Sequence, residues 1–154
     1  MSESGSAPFV PAGFVLPTPP DQPGFRLVPL GPEHNASDHA AWSSSMDHIG
    51  ATPGFAGRSW PHPMTLAENL GDLERHAADF VARTGFTYTV LALGDDAVIG
   101  CVYIYPSDDP AHDASVRSWV RAADAPLDRV LHEVVGEWLA AAWPFKRVAY
   151  AART

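Results

Sequence analysis

Residues suited to acid–base chemistry are concentrated around one polar loop in the second half of the chain. The loop carries Asp108, Asp109 and Asp113, and Tyr103 and Tyr105 lie just before it. Carboxylates and tyrosine hydroxyls can take up and deliver protons during a reaction. Their commoner roles are structural, since loop carboxylates usually stabilise turns and tyrosines on an apolar strand usually lie in the core. These residues are therefore candidates whose roles depend on the surrounding fold.

The histidines do not form a recognisable metal site. The sequence has seven, and the tightest group joins His34 and His39 to Asp38, with His34 and Asp38 at the spacing of one helix face. A zinc site needs a third or fourth ligand, and no HExxH or CxxC spacing supplies one. The serines at 43–45 also lack the G-x-S-x-G context of a nucleophile. We therefore expect no metal and no serine nucleophile.

The overall charge and apolar content exclude several classes of protein. The net charge is -8 and no run of Lys or Arg occurs, which disfavours binding to nucleic acid or to an anionic membrane surface. No stretch reaches the roughly 18 apolar residues of a membrane span, and the first residues lack the basic region of a signal peptide. The single cysteine, Cys101, has no partner for a disulfide. A cytoplasmic location is expected.

The chain is predicted to consist of an arm, residues 1–24, and one domain, residues 25–154. Six of the fifteen prolines lie in the arm, and proline favours an extended backbone over a helix. The arm is also apolar at Phe9, Val10 and Phe14, so we expect part of it to lie across the domain or a partner. The alternative is a disordered leader, since chain termini fray unless they are held in place.

The domain alternates strands with helices. Runs of β-branched and aromatic residues predict strands at 25–29, 87–93, 97–105, 114–121 and 147–151. Helical spacing of apolar residues predicts a helix at about 32–49, a second at 65–84 that opens with a Thr65/Glu68 capping box, and a third at about 127–143. The expected fold class is therefore α/β (α+β), a mixed sheet with helices packed on it.

This order of elements resembles the GNAT superfamily of N-acetyltransferases over about residues 25–151. Its most specific local piece is the Asp-x-x-Ile-Gly pattern that ends at Ile99 and Gly100, just before an apolar strand. The resemblance implies a mainly antiparallel sheet with splayed central strands. We expect the strands at 97–105 and 114–121 to diverge at their far ends.

The resemblance also implies a site for acetyl-CoA. Backbone groups of Trp119, Val120 and Arg121 would pair with the pantetheine arm, and the N-terminus of the next helix would receive the pyrophosphate. Arg129, in the first turn of that helix, would add positive charge. By position, Asp113 resembles a catalytic base, and Tyr105 is the candidate that accompanies it. The acceptor would be a small amine.

The loop before this helix departs from the family pattern. Residues 122–128 contain no glycine, whereas glycines normally allow the backbone to approach the phosphates. Pro126 removes one amide donor, and Asp124, a predicted N-cap, joins Asp128 in placing negative charge where phosphates would lie. The structural alternative is a well-capped helix with no ligand. We therefore expect acetyl-CoA to bind weakly.

Two functions follow from these observations, with a third supported only by the arm. The first is acetyl transfer from acetyl-CoA to a small amine, and the second is a non-catalytic GNAT-like module that binds a small molecule or a protein. The third is a toxin–antitoxin or assembly partner. Family members usually continue beyond Tyr150 with another helix and strand, so we expect an exposed edge at 147–151 that a homodimer or the arm covers.

Overall fold

The computed structural model describes residues 7–153. The strands are β1 (Phe25–Pro29), β2 (Phe86–Ala92), β3 (Val98–Pro106), β4 (Ala114–Val120) and β5 (Val148–Tyr150). The helices are α1 (Asn35–Ser43), α2 (Met46–Gly50), α3 (Leu66–Ala82) and α4 (Leu127–Ala142). Short 3-10 turns at Pro32–His34 and Ala122–Asp124 precede α1 and α4. The predicted order of strands and helices is confirmed.

The five strands form one sheet in the order β1-β2-β3-β4-β5. The first three pairings are antiparallel, and β5 runs parallel to β4. The parallel pair requires a crossover connection, which α4 supplies. The predicted mixed, mainly antiparallel sheet is confirmed, and among the described residues no helix is long and apolar enough to cross a membrane.

The predicted divergence of β3 from β4 is wrong. These strands pair without interruption from Gly100 with Val120 to Pro106 with Ala114. The sheet opens instead between β4 and β5, whose pairing stops at Val116 with Tyr150 although β4 continues to Val120. The cause is the length of β5, because a strand of three residues cannot accompany one of seven.

Both faces of the sheet are covered. One core packs the sheet against α4 and includes Val102, Ile104, Val116, Leu131 and Val135. The other packs the opposite face against α1, α2 and α3 and includes Trp42, Leu73, Cys101 and Trp119. Successive side chains of a strand point to opposite faces, so each central strand contributes to both cores.

The first predicted helix is divided where Ser45 leaves the helical path. Ser45 is buried at the start of α2, and its Oγ accepts a hydrogen bond of 2.9 Å from the backbone N–H of Ala122. This bond ties the α1–α2 junction to the turn before α4. The α3 capping box is confirmed: Thr65 Oγ1 accepts from Glu68 N, and Glu68 Oε1 accepts from Thr65 N.

The described part of the arm, from residue 7 onward, lies across the domain on the α4 side, as its apolar residues predict. Val10 is buried, and Phe9 stacks on Phe145 with ring centroids 4.9 Å apart. Arg83, just after α3, donates to the carbonyl oxygens of Pro11 and Phe14 at 2.9 and 2.8 Å. The remainder of the predicted arm, residues 1–6, is outside the described residues.

Candidate functional site

A cavity of about 600 Å³ lies between the sheet and the helices α1 and α3. Its floor is formed by side chains of β3 and β4, and residues 55–60, after α2, form one wall. A volume of this size accommodates a small molecule. The cavity is open to solvent on one side, so a ligand can enter it.

Strand alternation brings three polar side chains to the floor. Tyr103 and Tyr105 are two residues apart on β3, and Arg117 is the direct partner of Tyr103 on β4. The Tyr105 ring packs so closely on Gly85 that a Cβ at this position would overlap it. A glycine after α3 is therefore required for the observed position of Tyr105.

Helix α3 contributes the opposite wall with Asp72, His76 and Asp79. Spacings of four and three residues place these side chains on one face of a helix. Tyr105 Oη donates to Asp79 Oδ2 at 2.8 Å and lies 2.7 Å from His76 Nδ1. Thr87 Oγ1, on β2, is 3.3 Å from the same nitrogen. These contacts form a chain from Asp79 through Tyr105 to His76.

The chain of hydrogen bonds determines which nitrogen of His76 carries its proton. The Tyr105 hydroxyl has one hydrogen and donates it to Asp79, so we assign a protonated Nδ1 that donates to Tyr105. Burial, with a smaller effect of Arg75, lowers the pKa of His76, so the imidazole is neutral near pH 7. His76 lines the cavity, and its Nε2 is then unprotonated and can accept a proton. Such a group can act as a general base.

The wall formed by residues 55–60 is aromatic. Trp60 lies against Trp42 and Trp119, with ring centroids 5.5 and 6.1 Å apart, and against Phe55 at 5.8 Å. The Trp119 indole N–H donates to Tyr103 Oη at 3.0 Å. The aromatic wall therefore continues to the floor and gives the cavity an apolar side.

Asp38 is a buried carboxyl group at the inner end of the cavity. It is 4% exposed, and its Oδ2 accepts from Asn69 Nδ2 at 3.0 Å. Burial raises the pKa of Asp38 to about 6 in spite of this hydrogen bond. The His39 ring is bound to Met64 O at 2.7 Å, and the described residues contain no group of three or more potential metal ligands.

The structure separates the two predicted catalytic residues. Tyr105 lies in the cavity. Asp113 lies just before β4, where its Oδ2 accepts from the backbone N–H groups of Lys146 and Arg147 at 2.6 and 3.1 Å. These bonds lower the pKa of Asp113 and connect the start of β4 to the segment before β5. Its catalytic role stays a prediction.

The opening between β4 and β5 is occupied by Arg153. The side chain is 5% exposed, and its Nε donates to Asp128 Oδ2 at 2.7 Å. Its Nη2 donates to the backbone oxygen of Ser118 at 2.9 Å, and its Nη1 donates to the carbonyl oxygens of Pro53 and Ala151 at 3.3 and 2.9 Å. The guanidinium therefore connects β4 with the start of α4 and the loop after α2.

A smaller cavity of about 360 Å³ adjoins this guanidinium at the start of α4, where Arg129 is among the lining residues. The predicted N-cap role of Asp124 is wrong, because α4 begins after Pro126 and Asp124 is paired instead with Arg121 Nε at 2.7 Å. A carboxylate three residues after Arg121 reaches it across the 3-10 turn, away from the amides of α4.

Solved structures similar to this chain are acetyltransferases. The ribosomal L7/L12 alpha-N-protein acetyltransferase RimL is 12% identical, with a TM-score of 0.60 over 85% of this chain and 69% of that one. The microcin C7 self immunity acetyltransferase MccE, solved with acetyl-CoA and AMP, is 10% identical, with a TM-score of 0.55 over 79% of this chain and 67% of that one. An acetyltransferase from Thermus thermophilus is 20% identical, with a TM-score of 0.53 over 77% and 68%. The chain has the GNAT fold.

The likeness to GNAT structures concerns the fold alone. No protein-family model matches the sequence, and no curated protein matches it either. The identities are too low to transfer a substrate or an activity to this chain. The site residues must therefore be judged from their own geometry.

The residues at the end of β4 that were predicted to bind acetyl-CoA direct their backbone groups to different sides of the strand. Arg121 N donates to Ile99 O on the β3 side at 2.9 Å, and by alternation the backbone groups of Trp119 also face β3. Val120 and Ser118 direct theirs toward the opening between β4 and β5. The Ser118 carbonyl oxygen already accepts a hydrogen bond from Arg153.

Sequence reasoning missed His76, Asp79, Arg117 and Arg153. The helical spacing of His76 and Asp79 was visible in the sequence, but their contact with Tyr105 depends on how α3 packs on β3. The alternation that places Tyr103 and Tyr105 on one face also applies to β4, and it could have identified Arg117. Arg153 had no sequence signal, since only the fold brings it to Asp128.

Proposed function

We propose that this chain is an N-acetyltransferase that holds a small amine in the cavity and uses acetyl-CoA as the donor. The observation that supports this proposal is the neutral His76 at the cavity wall, hydrogen-bonded through Tyr105 to Asp79. An amine is protonated near neutral pH, and it must lose a proton before its nitrogen can attack a thioester.

In this proposal His76 Nε2 removes that proton. The amine nitrogen then forms a bond to the acetyl carbon and the carbon–sulfur bond breaks. The second proton that the nitrogen loses passes to the sulfur, so that coenzyme A leaves as a thiol. Asp79 and Asp72 stabilise the imidazolium that forms, since both carboxylates act on His76 in the direction that raises its pKa. The Tyr105 hydroxyl holds the imidazole in its tautomer.

The donor would enter at the opening between β4 and β5. Pro53 lines the smaller cavity beside this opening, and Phe55 lines the larger cavity, so the loop after α2 separates the two spaces. A donor bound to the Val120 backbone would reach the acceptor across this loop. Arg153 must leave Ser118 O first, and Arg129 would then lie near the phosphates.

The test is acetyl transfer from acetyl-CoA to a panel of small primary amines, measured by release of coenzyme A and by mass of the product. We expect His76→Gln to lower kcat/KM by about 10²–10⁴-fold, the usual contribution of a general base. His112→Gln, an exposed histidine paired with Asp109, is the matched control and should retain activity. Equal activity of His76→Gln and the control would refute the role of His76.

A second function, a non-catalytic module that binds a small molecule, is favoured by the Arg153–Asp128 pair. The Arg153 guanidinium fills the opening between β4 and β5 and has its hydrogen-bond partners there, so the fold is complete without bound acetyl-CoA. Calorimetric titration with acetyl-CoA separates the two functions. Absence of binding by both the wild type and Arg153→Ala would favour the module.

We also propose a cytoplasmic location and an acceptor that is a small molecule rather than a nucleic acid. The single Cys101 is fully buried and the described part of the chain has no disulfide, which suits a reducing compartment. The net charge of -8 disfavours a polyanionic partner. Fractionation of cells that express the tagged full chain tests the location.

A further inference from the structure

Two arginines face the cavity without an anionic partner. Arg117 and Arg58 both line it, and neither guanidinium has a hydrogen bond or an ion pair with another of the described residues. Arg117 Nε is also enclosed by the protein without an acceptor. Buried donors of this kind normally find a partner. The other N–H groups of the two guanidinium groups also have no acceptor among the described residues, and a ligand in the cavity could supply one.

The surroundings of Arg117 make the lack of an anionic partner energetically unfavourable. Its guanidinium lies over the Phe55 ring, 5.9 Å from the centroid, and its Cγ is close to Gly54. Burial lowers the pKa of Arg117, and the nearby charge of Arg58 lowers it further. Two neighbouring cations without a carboxylate repel each other, and a bound anion would relieve the repulsion.

We propose that the cavity binds a small organic oxyanion, a carboxylate or a phosphonate, whose charged group contacts Arg117 and Arg58. A planar guanidinium matches the oxygens of either group. The apolar part of the ligand packs on Trp60 and Phe55. This proposal rests on the proposed function in one respect only: if the ligand is also the acetyl acceptor, it carries its amine toward His76.

The order of the polar residues along the cavity supports this orientation of the ligand. Arg117 and Tyr103 are cross-strand partners, and the Tyr103 and His76 rings are 5.5 Å apart, so Tyr103 lies between the cationic group and the base. An amine near His76 also meets Asp72 and Asp79 on α3. A ligand with an anion at one end and an amine at the other therefore meets opposite charges at both ends.

The test compares five probes at millimolar concentration by calorimetry and thermal shift. The probes are phenylalanine, its phosphonate analogue, phenylpropanoate, phenylalanine amide and phenethylamine. We expect the three probes that carry an oxyanion, namely phenylalanine, its phosphonate analogue and phenylpropanoate, to bind. Phenylalanine amide and phenethylamine should bind at least about tenfold more weakly. Comparison of phenylalanine with its phosphonate analogue shows which oxyanion is preferred.

Variants connect the binding to the arginines. Arg117→Gln and Arg58→Gln should each weaken binding of the probes that carry an oxyanion by about tenfold or more, while binding of phenylalanine amide and phenethylamine is unaffected. Arg26→Gln removes an arginine from an exposed pair with Asp96 and is the matched control. Because Arg58 is exposed, its variant tests the site even if Arg117→Gln does not fold.

The outcomes separate this proposal from acetyl transfer. Binding of phenylpropanoate, which has no amine, supports the oxyanion site even if no amine is ever acetylated. Acetylation of phenethylamine with no preference for the anions would support the enzyme and overturn the oxyanion site. Failure of all three anions to bind the wild type would also overturn it.

Discussion

The protonation of His76 is governed by groups that surround it on α3, β2 and β3. Burial lowers its pKa, as does Arg75, while Asp72 and Asp79 oppose the change. The pKa of His76 is lower in the folded protein than its ordinary value of 6.5. The neutral imidazole therefore contributes to the free energy of unfolding at pH values above 6.5, and this contribution is lost as the pH falls through the lowered pKa. The same shift extends the pH range in which the imidazole can accept a proton.

We predict that NMR titration of His76 gives a pKa below 6.5 and that Arg75→Gln raises it. Loss of the positive charge makes protonation easier. The change should be small, because the Arg75 side chain is 64% exposed and solvent screens its charge. Arg26→Gln should leave the titration unchanged. A downward shift in Arg75→Gln would contradict the assigned electrostatics.

A second prediction concerns Asp38, whose pKa rises from 3.8 to about 6 on burial. Between these values the folded state binds more protons than the unfolded state, so the free energy of unfolding falls as the pH rises through this window. Asp38→Asn removes the ionisation, and its amide oxygen can still accept from Asn69. We expect a gain on the order of 2 kcal/mol at pH 7 that disappears below pH 3.8.

Urea denaturation at several pH values measures this gain. Asp47→Asn, at an exposed position of α2, is the control and should show no comparable dependence. A loss of stability in Asp38→Asn at pH 7 would show that the carboxylate is better compensated than its burial indicates.

At the scale of single residues, one of the two predicted catalytic residues, Tyr105, lies in the cavity, and its catalytic role stays a prediction. Tyr105 was recognised because β3 has a simple alternation that places it with Tyr103. The partners of Tyr105 could not be predicted, since contacts between α3 and β3 depend on packing angle and register. Asp113 was predicted as a catalytic base from the resemblance to the GNAT family. Its hydrogen bonds to Lys146 N and Arg147 N depend on a turn that the sequence does not reveal.

Among the elements, the start of α4 is where the phosphates of acetyl-CoA would bind in the proposed function. Asp128 is in the first turn and is paired with Arg153, so the positive end of the helix dipole already faces a carboxylate. We predict that Asp128→Asn strengthens acetyl-CoA binding by about tenfold, since it removes a like charge and the ion pair that helps to hold Arg153. Calorimetric titration measures the affinity.

Asp124→Asn is the control for this change. It removes a charge of the same sign nearby, but Asp124 is bound to Arg121 and does not line the smaller cavity. Equal effects of the two substitutions would mean that net charge, rather than the Arg153 contact, limits the donor. Micromolar binding by the wild type would show that the opening admits acetyl-CoA without help.

The order and type of the elements could be predicted because each has a strong local pattern. The capping box of α3 and the apolar runs of β2 and β3 are examples. The break at Ser45 and the opening beside β4 could not be predicted. The first depends on a bond to Ala122, distant in sequence, and the second on the end of β5 at Tyr150.

At the scale of the whole molecule, the arm stabilises the domain it crosses. Val10 is 2% exposed within the α4-side core, whereas Val15, in the same arm, is 84% exposed. We predict that Val10→Ala lowers the free energy of unfolding by about 2 kcal/mol, as expected for removal of buried methyl groups. Val15→Ala should change it by less than about 0.5 kcal/mol. Equal losses would indicate that the arm does not pack on the domain in solution.

The edge of the sheet at β5 leads to a prediction about association. Among the described residues the arm does not pair with β5, since it packs near Phe145 and Trp143 instead. Unpaired strand edges favour pairing with another chain. We therefore expect light scattering to show a homodimer, and Val148→Pro, which removes a backbone donor from the open edge of β5, to weaken it. A monomer at all accessible concentrations would contradict this expectation.

The aromatic wall of the cavity also gives the protein an optical signal of its own. Of the five tryptophans, Trp60 is partly exposed in the cavity, while the other four are buried. Its ring lies within about two ring diameters of Trp42 and Trp119, close enough for excitation energy to pass among the three indoles. A ligand that displaces water from Trp60 should therefore shift the emission of the whole group toward the blue, and binding can be followed without a label.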